Sequence, residues 1–244
     1  MMKWSWYSYT SPGGRPNNED SLRCGQENGH SVFVTADGLG GHDSGEVASA
    51  VAADSILEGT LAAEGPLREE TLTRQMQEAN RRVLEEQQQP GQEDMKTTAV
   101  VLAAEEDQIF WAHIGDSRLY RFSGGELAGV TRDHSVTYMK YLGGEISRMD
   151  VYHDDDRSSL LRVLGKETCS PETGSGTAKP GDAFLLCTDG FWEYVYQEEI
   201  LADLLKAETP EQWVRFMLLR HIRRTPPGND NFSVTAVFAE EEQP

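Results

Sequence analysis

Four aspartates stand where apolar stretches begin or end. Asp37-Gly38 follows Val32-Phe33-Val34-Thr35-Ala36, Gly115-Asp116 follows the apolar run ending at Ile114, Asp189-Gly190 follows another ending at Cys187, and Asp230 shortly precedes the run that starts at Phe232. In a layered sheet, strand ends come together, so these four carboxylates would be gathered at one edge. Isolated buried charges cost several kcal/mol each, and like charges add repulsion, so such a cluster calls for a compensating cation. Ligation by carboxylate, backbone carbonyl and water suits Mg²⁺ or Mn²⁺, whereas zinc favours His and Cys. Taken alone, Asp37-Gly38 has two readings, an ordinary turn or a cation site, because Asp-Gly is a common turn dipeptide. The recurrence at Asp116, Asp189 and Asp230 favours the cation.

The chain that must position these groups has 244 residues, 38% hydrophobic and 26% charged, an ordinary globular balance. Its net charge is -19, from 41 acidic against 22 basic residues. Nucleic acid and anionic membrane surfaces would repel it at long range, so neither is expected as a partner, and a phosphate-bearing substrate must be attracted locally. Three cysteines, Cys24, Cys169 and Cys187, form neither a disulfide framework nor a zinc motif, which fits a reducing cytoplasm. No apolar run resembles a signal peptide or a membrane span.

Periodicity supplies the elements. Strands are expected at 4 to 10, 31 to 36, 97 to 104, 108 to 114, 119 to 122, 183 to 188 and 232 to 238. The two from 97 to 114 form a hairpin through Glu105-Glu106-Asp107. Helices are expected after Asp43 as N-cap with Glu46 three residues on, from 67 to 89, near 138 to 142, from 198 to 206, and from Pro210 onward. For the last, Thr209 is the N-cap and Gln212 completes a capping box. Val47, Ala48, Val51, Ala52 and Ile56 share a helix face, as do Leu72, Met76, Ala79 and Val83. Many strands with few crossover helices favour antiparallel sheets and an α+β class. Residues 1–244 read as one domain, with an irregular flap over approximately 133–180.

The motifs, in order along the chain, resemble the metal-dependent type 2C Ser/Thr protein phosphatases, in particular their bacterial branch. They are Arg15-Pro16-Asn17-Asn18-Glu19-Asp20-Ser21, Asp37-Gly38-Leu39-Gly40-Gly41-His42 with Gly45-Glu46-Val47-Ala48-Ser49, Met95-Lys96-Thr97-Thr98, Gly115-Asp116-Ser117-Arg118, Thr131-Arg132-Asp133-His134-Ser135, Leu164-Gly165, Cys187-Thr188-Asp189-Gly190-Phe191-Trp192-Glu193, and Asp230-Asn231-Phe232-Ser233. Each is weak alone; their order makes the set specific. The resemblance implies two antiparallel sheets flanked by helix pairs, a four-layer αββα sandwich. It implies two Mn or Mg ions, with a weaker third. Asp37 would bridge the two, Gly38 would lend its carbonyl oxygen, and Asp189 and Asp230 would ligate the first ion. Glu19 and Asp20 match the acidic pair that supports the second ion, Asp116 matches a residue of the third, and Arg15 matches the arginine that grips the substrate phosphate.

Two cations about 3.5–4 Å apart can share one water, lower its pKa and clamp both oxygens of an in-line displacement. The implied nucleophile is that bridging hydroxide, and the implied reaction is hydrolysis of phosphoserine and phosphothreonine in proteins, opposing a bacterial-type Ser/Thr kinase. Arg15 has the planar donor fork to hold two phosphate oxygens. Bland readings stand beside these roles: strand-end turns for the aspartates, an ion-pair partner for Arg15 and for Arg118, loop support for His134 and His42, a solvated loop for Asp154-Asp155-Asp156, and core for Cys187. Two functional alternatives remain, a phosphatase dedicated to a partner-switching regulator and a non-catalytic relative that serves as an interaction platform. Two positions depart from the family pattern. Leu39 stands where many eukaryotic members carry histidine and bacterial ones methionine, which leaves leaving-group protonation to metal-bound water. Lys96 replaces the glycine before the paired threonines, and nothing in the sequence explains it.

Overall fold

A computed structural model describes residues 2–39 and 44–241. In chain order its elements are β1 (Met2–Ser11), β2 (Asp20–Glu27), β3 (His30–Leu39), α1 (Gly45–Leu61), α2 (Glu69–Glu86), β4 (Lys96–Thr97), β5 (Ala99–Glu105), β6 (Gln108–Ile114), β7 (Arg118–Ser123), β8 (Glu126–Val130), α3 (Val136–Leu142), β9 (Glu172–Thr177), β10 (Ala183–Cys187), α4 (Asp189–Trp192), α5 (Gln197–Leu204), α6 (Pro210–Arg224) and β11 (Phe232–Glu241). One sheet runs β1-β11-β10-β7-β8; the other runs β2-β3-β5-β6-β9, with β4 paired to the end of β3. Every pairing is antiparallel, as expected for strands joined mostly by hairpins.

Strand alternation sets the layers. In β3, Phe33 joins Trp4, Leu102, Leu119, Phe184, Leu186 and Val237 between the two sheets. Its neighbours Val32 and Val34 face the other way, onto Ala48, Ala52 and Ile56 of α1 and Leu72, Met76 and Val83 of α2. The opposite outer layer packs Trp213, Val214 and Met217 of α6 and Ile200 of α5 on Leu185, Val234 and Ala236. Both faces of the central strands are therefore buried, which is why they read as continuous apolar runs. Each fully buried aliphatic side chain contributes about 1.5–3 kcal/mol through its removal from water.

The helix starts follow local chemistry in part. Thr209 accepts a bond from the Gln212 amide at 3.2 Å, but the Gln212 carbonyl Oε1 takes the Glu208 amide at 2.9 Å, so the second bond of the expected capping box lands one residue earlier. Ser44 is the residue that precedes α1, without a side-chain cap bond, while Asp43 and His42 lie outside the described residues. Val47 and Val51 are only partly buried beside Ala48, Ala52 and Ile56. The stretch expected to be irregular contains α3 and also β9, a Gly- and Thr-rich strand without alternating apolar residues that pairs with β6. β8 escaped notice for a similar reason, since Glu126–Val130 is short and mostly exposed at a sheet edge. The aspartates of the acidic run bind inward: Lys140 of α3 meets Asp154 at 3.1 Å and Asp156 at 2.6 Å, which folds the loop onto the helix.

A stacked pair of imidazoles holds the start of this stretch, His113 at the end of β6 and His134, with ring centroids 4.7 Å apart and planes 8° from parallel. Burial pushes His134 down to about 4, aided by the neighbouring His113 and Arg162 and opposed by Asp133, and burial also lowers His113. An unfolded histidine takes up its proton near pH ~6.5. From there down to about 4 the unfolded chain binds more protons than the folded one, so stability present at neutral pH is lost as pH falls through that window, and this residue adds no further slope below it. His134→Gln should flatten the fall in melting temperature across that interval; an acid limb as steep as that of the parent protein would show that the ring is not its source.

Candidate active site

The strand ends meet as the spacing requires. Asp20 and Asp37 are directly opposed across β2 and β3, so their side chains stand on the same face. Asp189 opens α4 just beyond β10, Asp230 lies just before β11, and Asp116 sits in the turn between β6 and β7. A cleft of about 400 Å³ is lined by Arg15, Glu19, Asp37, Gly38, Asp116, Asp189 and Asp230, with Pro16, Asn17, Leu39, Ser158, Leu160 and Asn231 around them. Asp20 lies behind this wall rather than on it, buried and bonded through Oδ2 to the Thr188 hydroxyl at 3.0 Å. A larger groove of about 1170 Å³ at the far end of the β1 sheet is lined, among the described residues, by Phe122, Leu204, Leu205 and Phe238 with Lys3, Glu240 and Glu241, and does not gather the strand-end aspartates.

The backbone around Asp37 is stapled by the paired threonines. The Asp37 amide donates to Thr98 Oγ1 at 3.1 Å, while its carbonyl accepts from the Thr98 amide and the Thr97 hydroxyl, both at 2.8 Å. Thr98 Oγ1 also lies 2.7 Å from Ser117 Oγ, which links Asp37 to the Asp116 turn. Gly38 is glycine for lack of room: a Cβ there would fall 2.1 Å from the Gly45 carbonyl oxygen and 2.7 Å from that of Glu19. Gly115 has φ +101°, and a Cβ on it would strike Thr98 at 2.5 Å.

Four further residues shape the site. Asn231 accepts the Glu19 amide at 2.9 Å and donates to the carbonyls of Pro12 at 2.9 Å and Asn17 at 2.8 Å, so it pins the loop that carries Arg15 and Glu19. Thr188 and Ser233 bond each other's backbones and anchor Asp20. His221 of α6 donates from Nε2 to the Gly190 carbonyl at 2.7 Å and fixes the start of α4. Asn231, Thr188 and Ser233 fall inside the motifs of the sequence, where nothing local shows the bonds they make, and His221 carries no local signal because its partner is remote in the chain. Arg15 pairs with Asp230 at 3.1 Å with both side chains about half exposed. Its fork is thus held at the rim, available to an incoming anion.

The electrostatics are those of crowded acids. Burial, then Asp189, Asp20 and Asp116, push Asp37 well above the usual carboxylate range, and Asp37 and Asp189 come within hydrogen-bonding reach of each other. Burial, then Asp189 and Asp133, raise Asp116, and burial with Asp230 raises Asp189. Burial likewise brings Asp20 to about 7, opposed by the Ser233 and Thr188 hydroxyls, and its Oδ1 is buried without a hydrogen-bond partner. An all-oxygen donor set, an orphaned carboxylate oxygen and mutual repulsion together fit a divalent cation that prefers oxygen. Among the described residues, no histidine or cysteine lines the cleft. A separate trio, His113, His134 and Glu172, has ligand atoms within 4.8 Å of one another. Because its two rings are stacked nearly parallel, their lone pairs do not converge on one point, and His113 Nε2 is committed to the Arg132 carbonyl at 2.8 Å.

Comparison with known proteins agrees with this layout. A family model described as protein phosphatase 2C matches residues 14–224. The serine/threonine protein phosphatase PstP of Mycobacterium tuberculosis is 32% identical over 234 residues, covering 93% of this chain and 42% of that protein. This chain therefore spans less than half the length of that relative. The serine/threonine phosphatase stp of Listeria welshimeri is 32% identical over 201 residues, 80% of this chain and 79% of that one. The fold superposes on the catalytic domain of PstP in complex with two manganese ions with a TM-score of 0.87, at 25% identity, over 99% of this chain and 100% of that one. The matched span runs from the loop of Arg15 to the end of α6, and by it the chain belongs to the protein phosphatase 2C family.

Proposed function

We propose that the chain is a metal-dependent protein phosphatase that hydrolyses phosphoserine and phosphothreonine. The observation that carries this reading is the convergence of Asp37, Asp116, Asp189 and Asp230, with Arg15 at the rim, in one cleft. Asp37, Asp189, Asp230 and the Gly38 carbonyl would hold two Mn or Mg ions, with Glu19 and Asp20 supporting the second and Asp116 serving a third, weaker one. When bound, the ions supply an activated water and positive charge that stabilises the phosphoryl group in transit.

The chain's own residues do the rest. Arg15 can leave Asp230 to bind two phosphate oxygens through its planar fork, an exchange made easy by the exposure of that pair. Thr97, Thr98 and Asn231 hold the backbone of Asp37 and Glu19 so that the ligands need not reorganise on binding. Ser158 and Leu160, from the segment after α3, also line the cleft, where Leu160, Leu39 and Pro16 would offer apolar contact to the phosphorylated side chain.

We read residues 1–244 as one domain with a flap over approximately 133–180, acting in the cytoplasm on phosphorylated proteins that a Ser/Thr kinase produces. Three free cysteines fit a reducing compartment, and no helix among the described residues is long and apolar enough to cross a membrane.

The test is Mn²⁺-dependent hydrolysis of p-nitrophenyl phosphate and of a phosphothreonine peptide. Asp189→Asn should lower kcat/KM by more than about 100-fold, beyond what is usual for groups that only orient ligands; activity that survives either chelation or this change would refute the reading. Arg15→Ala should cost about 10–100-fold in kcat/KM on the peptide, the worth of charge-assisted bonds to phosphate, with Mn²⁺ binding retained. Loss of Mn²⁺ binding would make Arg15 a structural group instead.

The crowding of acids makes a further expectation that needs no turnover. In chelator, Asp189→Asn relieves repulsion and should melt about 2–4 °C above the parent for each ~1 kcal/mol relieved. Added Mn²⁺ should then stabilise the parent more than the variant. Differential scanning fluorimetry decides it: a variant less stable than the parent in chelator would mean that the carboxylates are not in conflict.

A further inference from the structure

We infer that Trp192 is a positioning residue for Asp116, held in place by Arg118, and that this relay joins the root of the flap to the cleft. The inference rests on the phosphatase reading, in which Asp116 serves the weaker ion.

Trp192, in the last turn of α4, is 2% exposed, and its indole Nε1 donates to the Asp116 carbonyl at 3.0 Å. The Arg118 guanidinium carbon lies 3.5 Å from the Trp192 ring centroid and 5.8 Å from that of Tyr152. Arg118 is itself buried, with Nε and Nη2 on the two oxygens of Asp133 at 2.8 and 2.6 Å and Nη1 on the Tyr120 hydroxyl at 3.1 Å. A guanidinium with its charge matched bidentately and its face covered by an indole has one position, and so does the indole. A buried arginine could be satisfied by Asp133 alone; the stack adds a fixed plane for Trp192.

The other side of Asp116 is held from the flap root. The His134 amide donates to the Gly115 carbonyl at 2.9 Å, and the Gly115 amide donates to His134 Nδ1 at 3.2 Å. Asp133, His134 and Ser135 in turn anchor the flap: the Leu161 amide donates to the His134 carbonyl at 2.8 Å, Ser135 bridges to Leu160, and Leu160 lines the cleft. The peptides on both sides of the Asp116 α-carbon are therefore fixed, one by Trp192 and one by His134, and both holders connect to Asp133-His134. Movement of the flap root would be felt at Asp116 through these two routes, whereas Asp37 is stapled by Thr97 and Thr98 and meets the Asp116 turn through the Thr98–Ser117 hydroxyl contact.

Trp192→Phe keeps a ring for Arg118 to stack on and removes only the N–H. Groups that orient ligands without touching the metal are worth about 10–100-fold in affinity, so the variant should bind the weakest Mn²⁺ about tenfold less tightly in calorimetric titration, with the tighter ions and the melting temperature close to those of the parent. Arg118→Lys, which loses the stack and the fork but keeps the charge, should act in the same direction. An isotherm for Trp192→Phe that superposes on the parent's overturns the inference, as does an equal loss at every ion. Should either variant fail to fold, the parent decides alone: in a Mg²⁺ titration followed by NMR, the Trp192 indole N–H resonance should shift in the weak phase, and an immobile resonance refutes the relay. A parent protein that binds no Mn²⁺ and cleaves no p-nitrophenyl phosphate sinks the phosphatase reading and this one with it, which distinguishes the two failures.

Discussion

Asp37 and Asp189 stand within hydrogen-bonding reach of each other, with Asp20 and Asp116 close enough to raise the Asp37 carboxyl further. Left to themselves, these groups would push the ends of β2, β3 and β10 apart. The surrounding structure is arranged to resist that. Thr97 and Thr98 fasten the Asp37 backbone, Asn231 ties the loop of Glu19 to the start of β11, His221 holds the Gly190 carbonyl, and Gly38 lets Gly45 of α1 come within contact of the strand. Most of these fasteners use side chain to backbone bonds, which fix position without adding charge. A divalent cation turns the same crowding into affinity, because the repulsion relieved on binding adds to the attraction of each ligand.

The sandwich makes such crowding tolerable. Three apolar layers, one between the sheets and one under each helix pair, clamp the strands over their whole length, so that local conflict at one edge is small against the burial behind it. Among the described residues, the groove at the far ends of the same strands sets Lys3 beside Glu240 and Glu241, with Phe122, Leu204 and Phe238, rather than a set of buried carboxylates. Strain is thus confined to the edge where chemistry needs it.

How much of this the sequence disclosed depends on whether the cause is local. β5 and β10 were readable because both faces are buried and the runs are apolar almost throughout, and β3 and β6 because each carries an apolar stretch, Val32-Phe33-Val34 and Ile109-Phe110-Trp111-Ala112. β9 was not, since Glu172–Thr177 is held by pairing with β6, against a Trp111 ring that leaves no room for a Cβ at Gly174, and by the bonds of Thr173 and Ser175 to the remote Glu69 of α2. The aspartates were readable from their strand-end positions, and motif order pointed to Arg15, Glu19 and Asp20. That Asp20 would sit behind the cleft while Glu19 faces it could not be read, because the two are adjacent and only the strand register with Asp37 separates them. The acidic run Asp154-Asp155-Asp156 gave no local sign that Lys140 would take up two of its carboxylates. Lys96 is found on β4 opposite Leu39, 3.6 Å from the exposed Asp94, and the structure offers no reason for lysine there.

The net charge of -19 gives these details their weight. At physiological ionic strength the field of scattered surface carboxylates decays over about 8 Å, so an anionic partner would be discouraged at a distance but judged by the cleft once it arrives. There, among the described residues, Arg15 is the only arginine on the wall, balanced by Asp230; Arg157 is held by Glu193 at 2.8 Å. Without bound cations the cleft would repel the phosphate that the proposed reaction requires. On the proposed reading, metal and substrate affinity would therefore be linked: whatever fixes Asp37, Asp116 and Asp189 well enough to hold cations would also set the potential that a phosphate meets, and in an acidic protein that dependence would be stronger than in a basic one.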